Sequence, residues 1–87
     1  MRQIEKKMVA ALNGSTSWRE ANTRVECENG RKSVYLHGNC IYQAAENGAR
    51  WSFRGWATQT TKSRLRALGV NYKAVGGSVY DWHEIGN

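Results

Sequence analysis

The sequence contains no proline, only two cysteines and no long hydrophobic run. Without proline, its turns depend on residues that tolerate positive φ, such as its nine glycines, and this favours tight β-hairpins. No apolar run is long enough for a signal peptide or a membrane span. We therefore expect a cytoplasmic protein that does not contact a membrane and keeps Cys27 and Cys40 reduced.

Motifs for catalysis and metal binding are also missing. No Ser or Cys lies in a nucleophile motif, no pair of carboxylates has a suggestive spacing, and the glycines form no phosphate-binding loop. Cys27, His37, Cys40 and His83 could supply the two cysteines and two histidines of a zinc site, but they lack zinc-site spacing. We therefore expect no enzymatic activity, no cofactor and no metal.

The length of 87 residues fits a single domain, residues 1–87, with one modest core. Ile4, Met8 and Leu12 recur at helical spacing, which predicts a helix over residues 2–12. Asn13-Gly14 supplies the positive-φ residue that ends helices. Residues 15–21 follow as a connection.

Short stretches of alternating polarity follow residue 22. Thr23, Val25 and Cys27 alternate with charged residues, and Trp51 and Phe53 alternate with arginines. Alternation bounded by Asn-Gly pairs is a strong hairpin signal. The sequence therefore predicts a four-stranded antiparallel meander, with strands at residues 23–28, 33–37, 40–44 and 50–54 and turns at Asn29-Gly30, Gly38-Asn39 and Asn47-Gly48.

A second, short helix is predicted within residues 58–69, with Thr60 or Thr61 as its N-cap and Leu65 and Leu68 facing inward. Residues 70–74 and 78–82, around Gly76-Gly77, are typical of a C-terminal β-hairpin. The expected fold class is therefore α+β: an N-terminal helix, a four-stranded antiparallel meander, a second helix and a C-terminal hairpin.

Residues 49–77 include six cationic residues and no Asp or Glu, and we call them the acid-free segment. The other seven Lys and Arg are balanced by seven Asp and Glu, so the net charge of +6 arises from this segment. Trp51, Phe53, Trp56 and Tyr72 lie among its cations. Cations attract phosphates and aromatic rings stack on bases, so the composition is typical of a nucleic-acid-binding surface. The alternative is an ordinary basic protein whose aromatic residues form its core.

Two cations, Lys62 and Arg64, lie in the first turn of the predicted second helix, where the helix dipole favours an anion. With the threonine hydroxyls they would form a phosphate-sized site, and solvated surface cations are the alternative. Trp56 is expected either to be partly exposed for stacking or to cap the core. Trp51 and Phe53 are expected to be buried. The predicted nucleic-acid-binding residues are Arg50, Arg54, Trp56, Thr60, Thr61, Lys62, Ser63, Arg64, Arg66 and Lys73.

A pattern over residues 22–68 ends in Gly55-Trp56-x-Thr58-x-Thr60-Thr61-Lys62-Ser63-Arg64-Leu65. It resembles small uncharacterised proteins of tailed bacteriophages, including podoviruses of the T7 type, which share a Gly-Trp-x-Thr-x-Thr-Thr-Lys-x-Arg-Leu signature. Arg66 departs from the polar uncharged residue expected in these relatives. The resemblance implies a phage protein in the host cytoplasm and no established activity. The helix that opens with Thr-Lys-Ser-Arg is also similar to the last helix of double-stranded RNA-binding domains.

We therefore expect a small non-enzymatic phage accessory protein that binds DNA or RNA with low sequence specificity, as a monomer or a homodimer. A second hypothesis is a phage-encoded protein that binds and inhibits an acidic host protein through the same basic surface. Both hypotheses require the acid-free segment to form a positive surface centred on the start of the second helix.

Overall fold

The computed structural model describes residues 1–74 and 77–85, and this part of the chain has an α+β fold in which two helices pack on a six-stranded antiparallel sheet. The helices are α1 (Gln3–Asn13) and α2 (Gln59–Ala67). Each strand pairs with the next in the chain. The strands are β1 (Trp18–Glu20), β2 (Thr23–Glu28), β3 (Arg31–Leu36), β4 (Asn39–Ala45), β5 (Gly48–Trp51) and β6 (His83–Ile85), and a 3₁₀ helix spans Tyr72–Ala74.

Helix α1 confirms the predicted N-terminal helix to within one residue at each end. It begins after Arg2, whose backbone N–H donates to the carboxylate of Glu5 at 3.2 Å. Met8 and Ala11 are buried, and they join the core that the sheet and α2 complete. A helix of 11 residues would be marginal alone, so this packed face is what keeps it folded.

The four central strands confirm the predicted meander, but two of its turns begin one residue earlier than predicted, and one of these is the β4–β5 turn at Glu46-Asn47. The β2–β3 turn is Asn29-Gly30 as predicted, whereas the β3–β4 turn is His37-Gly38, one residue earlier than predicted. In both turns the two residues have positive φ, about 51° and 80°, as in the type I′ turns that match strand twist. His37 therefore takes a left-handed position, which histidine adopts more often than most non-glycine residues do.

The predicted strand over residues 50–54 is too long, because β5 ends at Trp51. The N–H of Arg54 donates to the hydroxyl of Ser52 at 3.0 Å, and both Arg54 and Gly55 have positive φ. These features turn the chain away from the sheet. Residues 52–58 form a connection that we call the β5–α2 loop.

Two edge strands extend the predicted sheet. Residues 15–21, predicted as a connection, contain β1, and β6 follows residues 78–82, predicted as a hairpin strand. Each edge strand has three residues, too few for a period-two pattern to be recognised. The predicted C-terminal hairpin is wrong, because Tyr72–Ala74 is a 3₁₀ helix and β6 pairs with β5. Its predicted turn at Gly76-Gly77 lies partly outside the described residues.

The two faces of the sheet have different surroundings. One face packs against α1 and α2 and includes the buried residues Val25, Val34 and Trp51. The other face, which we call the open face, carries the residues that alternate with them, among them Arg24, Tyr35, Gln43 and Arg50. On the open face the Arg24 guanidinium lies 4.2 Å from the centroid of the Tyr35 ring.

Candidate nucleic-acid interface

Arg64 is buried in the fold and does not reach the surface predicted for it. Only 3% of Arg64 and 2% of Glu5 is exposed, and Nη1 of Arg64 lies 2.7 Å from Oε2 of Glu5. Its Nε donates to Oγ1 of Thr23 at 3.0 Å, and its Nη2 donates to Oδ1 of Asn22 at 3.3 Å. Arg64 therefore joins α2 to α1 and to the β1–β2 turn, and it is removed from the predicted phosphate site.

Two further residues of the predicted phosphate site are engaged by contacts within the fold, Ser63 at a partly exposed position and Thr61 at a buried one. The hydroxyl of Ser63 donates to Oε2 of Glu5 at 2.6 Å. Thr61 is buried, and its hydroxyl lies 3.0 Å from that of Thr58. Thr58 is the N-cap of α2, accepting the N–H of Thr61 at 3.2 Å, so the predicted N-cap, Thr60 or Thr61, is wrong. Thr60 and Lys62 are partly exposed, and within the described residues neither has a side-chain hydrogen bond.

The carboxyl group of Glu5 has a pKa below its ordinary value of 4.5. Burial by itself raises the pKa of this group, but the hydrogen bonds from Ser63, Arg64 and the backbone of Arg2, with the positive charge of Arg64, outweigh burial. Because the pKa is lower in the folded state, the ionised carboxylate stabilises the fold above about pH 4.5. This contribution is lost as the pH falls through the lower, folded-state pKa.

A Glu5→Gln variant is expected to be less stable than the wild type at pH 7, with a difference that shrinks as the pH falls below about 4.5. Urea unfolding at pH 7 and at pH 3 measures both free energies of unfolding. The control is Glu20→Gln, because Glu20 pairs with Lys7 at 3.0 Å in an exposed ion pair that contributes about 1 kcal/mol at most. An equal loss at both pH values for Glu5→Gln would contradict the prediction.

Arg50 and Arg54 lie together against one aromatic ring. The guanidinium carbons of Arg50 and Arg54 lie 4.5 and 5.5 Å from the centroid of the Trp82 ring. Arg50 donates to the side-chain oxygen of Gln43 at 2.9 Å, and Arg54 donates to the carbonyl of Cys40 at 3.3 Å. Both arginines are exposed. We call Arg50 and Arg54 the arginine pair.

The β5–α2 loop carries exposed aromatic surface beside the arginine pair. Trp56 is 62% exposed, so its ring does not cap the core and its surface is available for stacking. Trp51 is buried as predicted. The Gly55 N–H donates to the carbonyl of Val79 at 2.9 Å, and a Cβ on Gly55 would lie 2.6 Å from the Tyr80 ring. Gly55 therefore lets Tyr80, itself 72% exposed, pack directly on the loop.

The remaining predicted cations lie in a second group. Lys62 and Arg66 belong to α2, which packs on the face of the sheet opposite to Arg50. Arg66 donates to the hydroxyl of Tyr72 at 2.7 Å, and Lys73 is exposed in the 3₁₀ helix. The cations of the acid-free segment are thus divided between the two sides of the sheet, instead of forming a surface centred on the start of α2.

The structure adds two aromatic residues that the predicted site did not include. Tyr80 and Trp82 lie in the segment that brings the chain back past the β5–α2 loop to β6. Their spacing of two residues was visible in the sequence, but the contact with the arginine pair depends on β6 pairing with β5. A period-two pair of aromatic residues near a chain end is the signal that could have found them.

Metal ligands, thiols and apolar helices are the other features that bear on function. Within residues 1–74 and 77–85, no three His, Cys, Asp or Glu side chains are placed to hold a metal ion. The two thiols are free, and burial raises the pKa of the Cys40 thiol. In the same residues, neither helix is both long enough and apolar enough to cross a membrane.

Comparison with known proteins supports a phage protein, but neither the T7 podovirus type nor the predicted signature. No match was found among curated proteins or among solved structures. The model of the family described as Kyanoviridae Gp96 protein matches residues 1–83, which is nearly the whole chain. The chain therefore belongs to the Kyanoviridae Gp96 protein family, a family of phage proteins.

Proposed function

We propose that this protein is a non-enzymatic phage accessory protein that binds nucleic acid with low sequence specificity in the host cytoplasm. The interface comprises the arginine pair, Trp82, and the exposed rings of Trp56 and Tyr80. The observation that carries the proposal is the stacking of Arg50 and Arg54 on Trp82, because this contact orients two guanidinium groups beside exposed aromatic surface.

The charges of this interface are available to phosphates. In the described part of the chain, the ion pairs are Lys7–Glu20, Arg24–Glu26 and Arg64–Glu5, so neither arginine of the pair forms an ion pair, although Glu84 is the cross-strand neighbour of Arg50. The neutral groups that accept hydrogen bonds from the pair, Gln43 and the Cys40 carbonyl, leave its positive charge intact. Guanidinium groups bind phosphate oxygens in a planar, bidentate manner.

Low sequence specificity follows from the same groups. Arginine–phosphate contacts carry no sequence information, and an aromatic ring can stack on any base. Arg66 and Lys73 lie on the other side of the sheet and would add attraction over a longer range, which salt screens.

Replacement of Arg50 and Arg54 by Gln tests the proposal. Fluorescence anisotropy with labelled 20-nucleotide single strands and 20-base-pair duplexes, from 50 to 200 mM salt, measures the affinity and its salt dependence. Each lost phosphate contact reduces the log–log salt slope by about 0.7 to 0.9, so we expect the slope to fall by about 1.5. We expect the affinity near 100 mM salt to fall about tenfold or more.

The matched control replaces Lys6 and Arg19, which are exposed on α1 and on the opposite edge strand β1, by Gln. It removes the same charge from the chain, so it separates a local contact from the effect of net charge. An equal loss of affinity in both double variants, or wild-type binding without salt dependence, would overturn the proposal.

A second candidate is the binding and inhibition of an acidic host protein. It is favoured by the exposed apolar groups beside the arginine pair, since Trp56, Val79 and Tyr80 are all exposed and Trp, Tyr and Arg are the residues most enriched in interface hot spots. A pull-down from nuclease-treated host lysate separates the two candidates. Retention of one host protein by the wild type, with its loss in Tyr80→Ser, would support this second candidate.

A further inference from the structure

A groove of about 400 Å³ lies between the β3–β4 turn and the β5–α2 loop. Its apolar lining comes from Leu36, Ile41 and Phe53, of which the first two are buried in the core. Trp56 also lines the groove, and 62% of this residue is exposed. The volume is within the range of about 300–1,000 Å³ for ligand pockets.

Polar groups complete the lining of this groove. The polar lining residues are His37 and Asn39, from the β3–β4 turn region, and the threonines at the start of α2. The amide of Asn39 offers a donor and an acceptor, and the hydroxyl of Thr60 can act as either. An apolar lining with a few donors and acceptors fits a flat heteroaromatic ring with polar atoms along its edge.

The charges around the groove favour a ligand that carries phosphates. No carboxylate lines the groove, and much of its lining belongs to the acid-free segment. Arg54 follows the lining residue Phe53 in the chain, and Lys62 follows the lining residue Thr61. Thr58, Thr60 and Thr61, at the positive end of the α2 dipole, also line the groove.

We propose that this groove accepts an unpaired nucleobase, stacked on Trp56, and that the ligand of the interface is therefore single-stranded nucleic acid. This inference rests on the proposed function. In a duplex the base faces are covered by stacking, so Trp56 can reach one only if the base is first flipped out at a cost of a few kcal/mol. In a single strand the base faces are available, and Arg54 lies beside the groove, because its Nη1 donates to the carbonyl of Cys40, between the lining residues Asn39 and Ile41.

The test compares wild type, Trp56→Ala and Trp56→Phe, using the labelled single strands and duplexes described above. For the single strand we expect Trp56→Ala to lower the affinity by a factor between about 5 and 100, with no change in salt slope because no charge is lost. Trp56→Phe keeps a ring and is expected to retain most of the affinity. Thermal unfolding of each variant verifies that it folds.

Each outcome decides a separate claim. Tighter wild-type binding to the single strand than to the duplex, lost in Trp56→Ala and kept in Trp56→Phe, would support the inference. Equal binding to both forms, with Trp56→Ala unchanged, would overturn the inference and leave the proposed function in place. Salt-independent binding, or none, to both forms would overturn the proposed function and the inference with it.

Discussion

Replacement of Arg64 by Ala is expected to lower the free energy of unfolding by about 3–5 kcal/mol. The change leaves the buried Glu5 carboxylate without its cation and removes the donors to Thr23 and Asn22. The total stability of a small domain is about 5–15 kcal/mol, so this variant should be close to unfolded at 37 °C. Urea unfolding at pH 7, followed by circular dichroism, measures the loss.

Two further variants separate the buried pair from general effects of charge. Lys7→Ala breaks the exposed ion pair with Glu20 and is expected to change the stability by about 1 kcal/mol at most. Replacing Glu5 by Leu and Arg64 by Met in one chain removes both buried charges, and we expect it to recover much of the stability that Arg64→Ala loses. A loss below about 1 kcal/mol in Arg64→Ala would contradict a buried, stabilising role for Arg64.

Replacement by Ala is expected to destabilise the protein strongly at Trp51 and very little at Trp56, five positions later. Trp51→Ala should lower the free energy of unfolding by about 3–5 kcal/mol, because Trp51 is 3% exposed in the core. Its ring packs edge-on against Phe53, with the ring centroids 5.1 Å apart, and lies 4.7 Å from His83. The substitution would leave a cavity where β5 meets β6. Thermal unfolding should show a melting temperature lower by roughly 15 °C or more.

Trp56→Ala is the matched control for this prediction. The residue is largely exposed, so its loss is expected to change the free energy of unfolding by no more than about 0.5 kcal/mol. The same variant is the one expected to lose affinity for single strands. Similar destabilisation by Trp51→Ala and Trp56→Ala would contradict the assignment of one ring to the core and the other to the surface.

Much of the fold could be predicted from local patterns. The helical spacing of Ile4 and Met8 located α1, and Asn29-Gly30 located the turn between β2 and β3. These signals act over a few residues, since a helix face or a type I′ turn depends on neighbours in the chain. The edge strands were not predicted because short strands have no readable period, and the turns at His37-Gly38 and Glu46-Asn47 were placed one residue late because Gly38-Asn39 and Asn47-Gly48 are the pairs of typical turn residues.

The candidate site was predicted less well than the fold. The sequence identified the cations and aromatic residues of the acid-free segment, and Arg50, Arg54 and Trp56 are exposed as that prediction requires. It could not show that Arg64 pairs with Glu5, because the two residues are 59 positions apart and nothing in either local pattern marks the contact. The contact between Trp82 and the arginine pair was missed for the same reason, because β6 pairs with β5 although residues 52–82 separate them in the chain.

The sequence by itself determined the local elements: the two helices, the central hairpins and the concentration of positive charge in residues 49–77. Only the tertiary structure decided which of those charges are available to a ligand. It buried Arg64 between α1 and the sheet, stacked Arg50 and Arg54 on Trp82, and left Trp56 in solvent. The physical reason is that a charge is neutralised or exposed by partners distant in the chain, whereas periodicity and turn chemistry depend on near neighbours.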